Sequence, residues 1–341
     1  MTDNKTTEAL PTMPQPMPKV ELDYPISPKE NLKAVFDRKK PKWVPNTNQE
    51  KGLVLCPHDN DRPFFFDSGK DWFGVDWTFV PTAGGQMVTP NTFIMQSPSE
   101  WEEKLIFPDF DSMDFTAGKE DALAAADPNV MNFYLMQDGL FERLLSLATA
   151  EEVFCFLMEE EESATRFFER MADYKIALMD KVIREWAPFD AFINSDDWGT
   201  QISTFISPDM YQKYLYKPYQ RIVDFAHKNG KYINFHSCGK VETLVPQMVK
   251  LGADMWEAQR MNDLIALRGK YGKELPIQIA LDENITFREG VSDQAILDHV
   301  HWYIDTFAMD GGLIAAYMPV NEHVNELVAR ELYEYSKRHY A

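Results

Sequence analysis

The second half of the sequence alternates short apolar runs with helix-like segments, and this alternation restricts the chain to a few folds. The apolar runs, interpreted as strands, end near Asn194, His236, Glu257, Asp282 and Tyr317. The helical segments between them span about residues 209–229, 241–251, 262–271 and 292–309. Strands that alternate with helices over short connections predict a parallel sheet with helices packed on its faces.

The residues at these strand ends favour a closed barrel over an open sheet. Each strand ends in or beside a polar or ionisable residue, and in a closed barrel all such ends meet at one mouth. In an open doubly wound sheet they would meet only at the switch point. No Gly-x-Gly-x-x-Gly stretch follows a strand, so a dinucleotide-binding fold has no support. The predicted fold is therefore an α/β (β/α)8 TIM barrel.

The boundaries of this domain are predicted from the N-terminal composition. Residues 1–26 mix proline, threonine and methionine without a period, which is typical of a loose tail. Residues 27–341 are then expected to form a single barrel domain. Its first helix is predicted to open at the capping box Ser27–Glu30, with proline at the first helical position. The clearest helical periodicity spans about residues 164–186.

The charge of the chain excludes several classes of partner. The sequence has 54 acidic and 34 basic residues among 341, and a net charge of −20. Such a surface repels phosphate backbones and anionic lipids, so nucleic-acid and membrane partners are not expected. Three cysteines suit a reducing compartment rather than a disulfide framework. Without a membrane-spanning run or a signal-peptide pattern, we expect a soluble, cytoplasmic protein.

The sequence His236-Ser237-Cys238 is the first candidate for chemistry. In an extended chain, residues i and i+2 project to the same side, so the imidazole and the thiol face one point. Zinc accepts both nitrogen and sulfur ligands, which makes a metal ion the predicted occupant. The alternative is a core histidine beside a buried free thiol. The position at a strand end favours the metal site, because barrel enzymes carry their chemistry there.

Carboxylates at the other strand ends are further candidates. Asp196 and Asp197 follow one strand, and neighbouring carboxylates separate each other's pKa values. We expect one of the two to be functional, against the alternative that one merely caps the following turn. Glu257 and Asp282 stand at later strand ends, where a buried carboxylate needs a partner.

An aromatic cluster earlier in the chain has two possible interpretations. Trp72, Phe73 and Trp77 follow one another beside a glycine, and such rings either fill a packing corner or line a pocket. The sequence has no Gly-x-Ser-x-Gly elbow, no phosphate loop and no Cys-x-x-Cys pair. Metal-assisted chemistry is therefore the class of reaction that remains.

Several pieces of the sequence, taken in order, resemble the uroporphyrinogen decarboxylase family, and within it the branch of corrinoid-dependent methyltransferases. The matching pieces are residues 27–31 with Pro41 to Pro45, Gly139–Arg143, Asp196–Gln201, Ser207–Tyr211, His236–Gly239 and Gly311-Gly312. The resemblance covers nearly everything from about residue 27 onward. The family fold is a (β/α)8 barrel, in agreement with the strand-end argument.

The resemblance implies a zinc site with one altered ligand. In that branch, His-x-Cys supplies two zinc ligands, which correspond to His236 and Cys238 here. A third ligand, a cysteine in the last strand-to-helix region, is missing after Gly311-Gly312. We expect a carboxylate to replace it, and Glu257 is the first choice because its strand follows the His-Cys strand directly. Asp196, Asp197 and Asp282 are the alternatives.

The resemblance also implies an activity. It predicts a zinc-dependent methyltransferase that moves a methyl group between a small methylated substrate, an ether, amine or thiol, and a separate corrinoid (cobalamin) protein. A carboxylate in place of a thiolate makes the metal harder, which favours demethylation of an ether or amine. The residues assigned to catalysis are Asp196, Asp197 and Tyr317. The residues assigned to substrate binding are Trp72, Phe73, Trp77, Trp198 and Gln201.

Two alternatives within the family stay open. The first is a decarboxylase similar to uroporphyrinogen decarboxylase itself, although the chain lacks that enzyme's arginine-bearing N-terminal motif. The second is a catalytically silent member that only binds a ligand. A homodimer is also left open.

Overall fold

The computed structural model describes residues 17–64, 67–82 and 84–341, and its main element is a parallel sheet. The sheet contains seven strands of this described region, in the order β1-β5-β6-β7-β8-β9-β10. These strands are β1 (Lys51–Leu53), β5 (Met131–Met136), β6 (Ala191–Ser195), β7 (Tyr232–His236), β8 (Met255–Ala258), β9 (Ile277–Ala280) and β10 (Leu313–Ala316). A separate antiparallel sheet is formed by β2 (Gly69–Lys70), β3 (Asp76–Val80) and β4 (Gly85–Val88).

Helices connect the strands and surround the parallel sheet. They are α1 (Pro28–Phe36), α2 (Thr47–Glu50), α3 (Trp101–Lys104), α4 (Lys119–Ala125), α5 (Leu140–Leu147), α6 (Ala150–Glu159), α7 (Glu161–Glu185), α8 (Pro208–Met210), α9 (Tyr216–Lys228), α10 (Val245–Leu251), α11 (Leu264–Tyr271), α12 (Glu283–Thr286), α13 (Asp293–Phe307) and α14 (Glu322–Tyr340). The predicted alternation of strands and helices is confirmed, and each strand ends within two residues of its predicted end.

The two edges of the parallel sheet are joined through a short segment before β1. Asn46 forms a parallel bridge with Ala315 of β10, and Ala315 N donates a hydrogen bond to Pro45 O at 2.8 Å. The chain then passes through α2 directly into β1, at the opposite edge of the sheet. The TIM-barrel prediction is confirmed, with the eighth position held by a single bridge in place of a full strand.

An apolar plug fills the lower end of the barrel, where the strands begin. Leu32, Val35 and Phe36 of α1 pack against inward-facing residues of four strands, β5, β6, β8 and β10. Those partners are Met131, Phe133, Ala191, Ile193, Met255 and Ile314. The predicted capping box holds α1 in place: Ser27 Oγ accepts from Glu30 N, and Ser27 N donates to the Glu30 carboxylate. Polar side chains are thereby confined to the upper end of the barrel.

The expected loose tail is partly anchored. Residues 1–16 lie outside the described residues. Residues 17–26 form no helix or strand, but they contact the barrel: Val20 N donates to Gln49 Oε1 at 2.8 Å, and the Tyr24 ring stacks on Trp43 at 4.8 Å. The division into a tail and a single domain at residue 27 stays a prediction.

A membrane-spanning helix needs about 20 consecutive, mostly apolar residues. In the described part of the chain, every helix is too short or too polar to cross a bilayer.

The plug at the base of the barrel can be tested by truncating Phe36, which is completely buried. We expect Phe36→Ala to lower the free energy of unfolding by about 3–5 kcal/mol, because a cavity replaces the ring. Phe287 is 52% exposed, and Phe287→Ala should change the same free energy by less than about 0.5 kcal/mol. Urea denaturation followed by tryptophan fluorescence measures both. Similar losses in the two variants would contradict a closed base.

Candidate functional site

His236 and Cys238 stand side by side at the carboxyl end of β7, as their spacing predicts. The Cys238 sulfur lies 3.5 Å from Nε2 of His236. The chain turns at Gly239, whose φ of +89° lies in the left-handed region that favours glycine. A Cβ atom at this position would also lie 2.3 Å from the backbone carbon of Gly199 on the neighbouring loop. Position 239 therefore requires glycine for two independent reasons.

Asp197 completes a group of three possible metal ligands. A carboxylate oxygen of Asp197, a ring nitrogen of His236 and the sulfur of Cys238 all lie within 4.8 Å of one another. Asp197 Oδ1 also accepts a hydrogen bond from Cys238 N at 2.7 Å. Across residues 17–64, 67–82 and 84–341, no other histidine, cysteine, aspartate and glutamate side chains form such a group. Of the aspartate pair, Asp197 is thus the member that faces the histidine and the cysteine.

Glu257 lies behind His236 rather than beside the sulfur, which corrects its assignment as the third ligand. Its Oε2 lies 2.9 Å from Nδ1 of His236, the ring nitrogen opposite the one that faces Cys238. Its Oε1 accepts hydrogen bonds from Lys51 Nζ and Asn234 Nδ2, both at 2.7 Å. The cause is the register of the sheet, which sets His236 and Glu257 directly opposite each other on neighbouring strands. Glu257 therefore orients the imidazole.

Ionic interactions inside the barrel set the protonation of these groups. Burial opposes ionisation of Glu257, but Lys51 and the bond to His236 hold the pKa of this carboxyl well below its usual range. Burial also disfavours protonation of His236, yet hydrogen bonds with Cys238 and Glu257 outweigh it and raise the pKa of the imidazole. Burial raises the pKa of the Cys238 thiol, the bond with His236 opposes this, and Asp197 adds to the rise. Lys51, Glu257 and His236 thus form a chain of alternating charge.

Asp196 is a structural residue, which corrects its assignment to catalysis. It is fully buried, and its carboxylate accepts four hydrogen bonds. The donors are Phe141 N at 3.1 Å, Glu142 N at 2.8 Å, Trp198 Nε1 at 2.7 Å and the Tyr219 hydroxyl. Two of these donors are backbone groups in the first turn of α5, so Asp196 holds the N-terminus of that helix. Burial raises the pKa of this carboxyl, and the hydrogen bonds oppose the rise.

Trp198 is also buried, so its assignment to substrate binding is wrong. Its ring packs against Tyr211 at 5.0 Å and against Tyr219 and Phe235 at about 5.8–5.9 Å. Its backbone N donates to Ser237 Oγ at 2.9 Å, which joins the loop after β6 to the loop after β7. Trp198 thus forms part of the wall that supports the site.

Tyr317 points away from the mouth, which corrects its assignment to catalysis. It is 4% exposed, and its hydroxyl donates to Oδ1 of Asn325 in α14 at 3.0 Å. Side chains alternate along a strand, and Ile314 of β10 faces the barrel interior, so Tyr317 faces the outer helices. Burial raises the pKa of its phenol, as expected for a core tyrosine.

The aromatic cluster fills a packing corner, so the pocket interpretation is wrong for these rings. Trp77 is 4% exposed, its Nε1 donates to Asp71 Oδ2 at 2.9 Å, and the Arg62 guanidinium stacks over its ring at 4.1 Å. Phe73 packs against Tyr174, and Trp72 packs against Phe110 and Phe115. These rings form the core of the insertion between β1 and β5.

Gln201 lines a cavity of about 470 Å³ at the rim of the mouth. The lining residues are Gln201, Ala258, Gln259, Arg260, Met261, Leu264, Ile279, Ala280, Leu281, Asp282, Glu283, His299, Trp302, Tyr303 and Phe307. Gln259 connects this cavity to the candidate site, because its Nε2 donates to the Cys238 sulfur at 3.3 Å. Gln201 and Asp282 are therefore the sequence candidates that line this cavity, and Gln259 is the lining residue that contacts Cys238.

Four residues near the site were missed by the sequence reasoning. Lys51 and Asn234 bind Glu257, Gln259 binds Cys238, and Glu142 interacts electrostatically with Asp197. Burial and Asp197 raise the pKa of the Glu142 carboxyl well above its usual range. Glu142 lies within one of the sequence pieces that carry the family resemblance, so that piece was the available signal. Lys51 gave none, because its partner Glu257 lies 206 residues away in sequence. Asn234 shares β7 with His236 and bonds to Glu257 on the neighbouring strand, but its residue type alone does not indicate this contact.

The parallel barrel carries nitrogen, sulfur and oxygen donors at its strand ends, and a cavity lies at the same end. This arrangement is typical of enzymes with a barrel fold. The chain belongs to the uroporphyrinogen decarboxylase family. The model of that family, described as uroporphyrinogen decarboxylase (URO-D), matches residues 141–316, more than half of the chain. The resemblance predicted from the sequence is therefore confirmed at the level of the family.

Among the solved structures similar to this chain are a methyltransferase and an epimerase. A methyltransferase from Methanosarcina mazei has a TM-score of 0.64 and 12% identity, over 93% of this chain and 100% of that chain. At this identity the likeness shows a shared fold. A 3-keto-D-glucoside 4-epimerase from E. coli has a TM-score of 0.35 and 13% identity, over 64% of this chain and 83% of that chain. Comparison with curated proteins gave no match.

The two adjacent aspartates provide a matched pair of variants. Asp196→Asn should lower the free energy of unfolding by about 3 kcal/mol, because one amide oxygen cannot accept all of the buried hydrogen bonds. Asp197→Asn keeps the oxygen that accepts from Cys238 N and should lower it by less than about 1 kcal/mol. Urea denaturation at one pH measures both. Equal losses would show that the two carboxylates do not differ in structural role.

Proposed function

We propose that this protein is a zinc-dependent methyltransferase that moves a methyl group between a small methylated substrate and a separate corrinoid protein. The observation that carries the proposal is the group of Asp197, His236 and Cys238 at the mouth of a uroporphyrinogen decarboxylase-family barrel. The fold shared with a methyltransferase from Methanosarcina mazei is consistent with it. Membership of the corrinoid-dependent branch is part of this proposal.

The donor set fits zinc. Catalytic zinc sites use three protein ligands of nitrogen, sulfur or oxygen and keep one position open. His236 would bind through Nε2, since Glu257 holds its Nδ1, and such carboxylate–histidine pairs commonly support zinc ligands. Asp197 would replace the cysteine that the family resemblance predicts at the third position. Metal binding would also favour the Cys238 thiolate and the neutral imidazole.

The chain's own residues prepare this site for methyl transfer. Zinc supplies a Lewis acid that stabilises charge developing on the heteroatom that bears or receives the methyl group. Glu257, held by Lys51 and Asn234, keeps the imidazole in one orientation. Gln259 donates to the Cys238 sulfur and holds it in place. These contacts pre-organise the donor atoms before a substrate arrives.

The cavity that Gln259 links to Cys238 supports a small substrate. Its lining combines aliphatic and aromatic side chains with a few polar groups, which is the usual composition of a small-molecule site. The ligand set with one carboxylate makes the metal harder than a set with two thiolates. Demethylation of an ether or amine is therefore favoured over methylation of a thiol. The corrinoid would be carried by a partner, because the sequence contains no cobalamin-binding Asp-x-His-x-x-Gly stretch.

Elemental analysis tests the metal site. Protein purified without a metal-binding tag should contain zinc at about one ion per chain, and the double variant His236→Ala, Cys238→Ala should contain none. Asp197→Ala should weaken zinc binding strongly, and Glu257→Gln should weaken it by about 10–100-fold, as expected for loss of a ligand's support. His323→Ala removes an exposed histidine paired with Asp293 and serves as the control. Unchanged zinc in the double variant would remove the proposal.

A direct assay tests the reaction. The zinc-loaded protein is mixed with free reduced cobalamin and a panel of methyl ethers, methylamines and methyl thioethers, and the cobalamin spectrum reports methyl transfer. We expect an ether or an amine to react, and Asp197→Ala to lower the rate at least about 100-fold, because a missing ligand removes most of the electrophilic stabilisation. Decarboxylation of uroporphyrinogen in a parallel sample, without methyl transfer, would support the decarboxylase alternative. Inactivity with all compounds would favour a silent family member.

A further inference from the structure

A second cavity lies at the opposite end of the barrel from the candidate metal site. Its volume is about 270 Å³. Its lining includes Pro276 and Gly312. Pro276 and Gly312 directly precede β9 and β10, so the cavity opens where these strands begin. It therefore shares no residue with the mouth of the barrel.

The lining of this cavity is basic, although the chain is strongly acidic. Arg38, Lys39, Arg268 and Lys273 line it together with a single carboxylate, Asp310. The whole chain has a net charge of −20. A concave cluster of one sign within a surface of the opposite sign attracts counter-ions locally. An anion is therefore the class of ligand that the charge of this cavity selects.

Arg268 is the central cation, and it has no anionic partner among the described residues. It is 2% exposed. Its Nε donates to Phe307 O at 3.0 Å, and its Nη2 donates to the carbonyls of Ala308 and Gly311. These carbonyls at the end of α13 carry only a partial negative charge. A buried guanidinium that meets carbonyls alone keeps a large part of its desolvation cost, which a bound anion would offset.

The remaining nitrogen of Arg268, Nη1, lies at the cavity wall without a hydrogen-bond acceptor in the described part of the chain. A Cβ atom at Gly272 would lie 1.7 Å from Nη1, and one at Gly312 would lie 3.3 Å from it. Both glycines line the cavity, so their missing side chains leave Nη1 accessible there. A Cβ atom at Gly269 would meet nothing within 4 Å, so this wall is open too.

The other cations differ in how far they are already neutralised. Arg38 lies 3.5 Å from Asp254, and Lys39 lies 3.1 Å from Asp37. Lys273 is exposed and forms no ion pair with a described residue, so its ammonium is available to a ligand. Arg268 supplies a planar guanidinium donor, and Lys273 supplies an ammonium donor on a flexible side chain. Phosphate groups are commonly bound by this combination.

We propose that this cavity is a binding site for a small ligand carrying a phosphate group. Phosphate is favoured over a monocarboxylate because it presents more oxygens and more negative charge to the converging cations. The volume lies slightly below the range of about 300–1,000 Å³ that is typical of drug-sized ligands, so the ligand is small. This inference goes beyond the methyl-transfer proposal and does not depend on it.

Isothermal titration with inorganic phosphate, at constant ionic strength, tests the site. We expect saturable binding to the wild-type protein. Lys273→Gln should weaken it about fivefold, which is the effect of one exposed charge. Lys270→Gln removes the same charge from a position on α11 that does not line the cavity, and binding should be unchanged. The double variant His236→Ala, Cys238→Ala should also bind phosphate normally, which separates this site from the mouth.

Gly269 permits a sharper test, because a side chain there enters open space and glutamate favours a helix more than glycine does. Gly269→Glu should weaken phosphate binding at least about tenfold, which corresponds to about 1.4 kcal/mol. The neutral, equally large Gly269→Gln should weaken it much less. Equal binding by Gly269→Glu and the wild-type protein, or no binding of phosphate at all, would overturn the proposal. Binding of citrate without binding of phosphate would overturn the assignment to phosphate.

Discussion

The ion pair between Lys51 and Glu257 inside the barrel is the interaction on which the arrangement of the mouth depends. Both side chains are largely buried, at 15% and 14% exposure, and neither charge would be stable alone at this position. Lys51 comes from an edge strand and Glu257 from the far half of the sheet, so the pair can form only because the sheet curls. With Glu257 fixed and ionised, the imidazole of His236 is fixed as well. The geometry of the donor group thus depends on closure of the barrel.

The two ends of the barrel have opposite chemical characters. The apolar plug of α1 fills the interior where the strands begin, so water and charge inside the barrel are confined to the upper end. There the charges are paired with one another. Outside the plug, beside the starts of β9 and β10, the cations around Arg268 are not fully paired. The fold therefore separates the ion pairs at the mouth of the barrel from the basic cavity at its other end.

The sequence was sufficient to predict the barrel, the strand ends and the meeting of His236 with Cys238. The elements and the side-by-side placement of His236 and Cys238 follow from periods of two or of about 3.6 residues, which a linear pattern records directly. The closed barrel was inferred from the polar residues at the strand ends and from the family resemblance. The choice between Asp196 and Asp197 does not follow from such a pattern. Consecutive residues point in different directions, so only one of them faces the mouth, and the conformation of the loop decides which. Asp197 was named among the alternatives for the third ligand, but nothing local favoured it.

The errors on Glu257, Tyr317 and the tryptophans have a common physical origin. Each residue was assigned from its position along the chain, whereas its role depends on which face of an element it occupies and on a distant partner. The last strand, Leu-Ile-Ala-Ala, is apolar throughout, so it carries no alternation that would show Tyr317 to point outward. Glu257 has its partner on β1, more than 200 residues away in sequence. A pairing between residues so far apart in sequence can be seen only in the folded structure.

The loops that follow β6 and β7 are bonded to each other at nearly every residue. From the loop after β6, Asp196 N donates a hydrogen bond to His236 O, and Trp198 N donates one to Ser237 Oγ. In the other direction, Cys238 N donates to Asp197 Oδ1, and Lys240 N donates to Thr200 O. Gly199 and Gly239 approach so closely that a Cβ atom on Gly239 would lie 2.3 Å from the backbone carbon of Gly199. For protein engineering, these two loops form one transferable module. A designer who grafts the donor group into another barrel must transfer both loops together. The two receiving strands must be neighbours and must pair in the same register as β6 and β7.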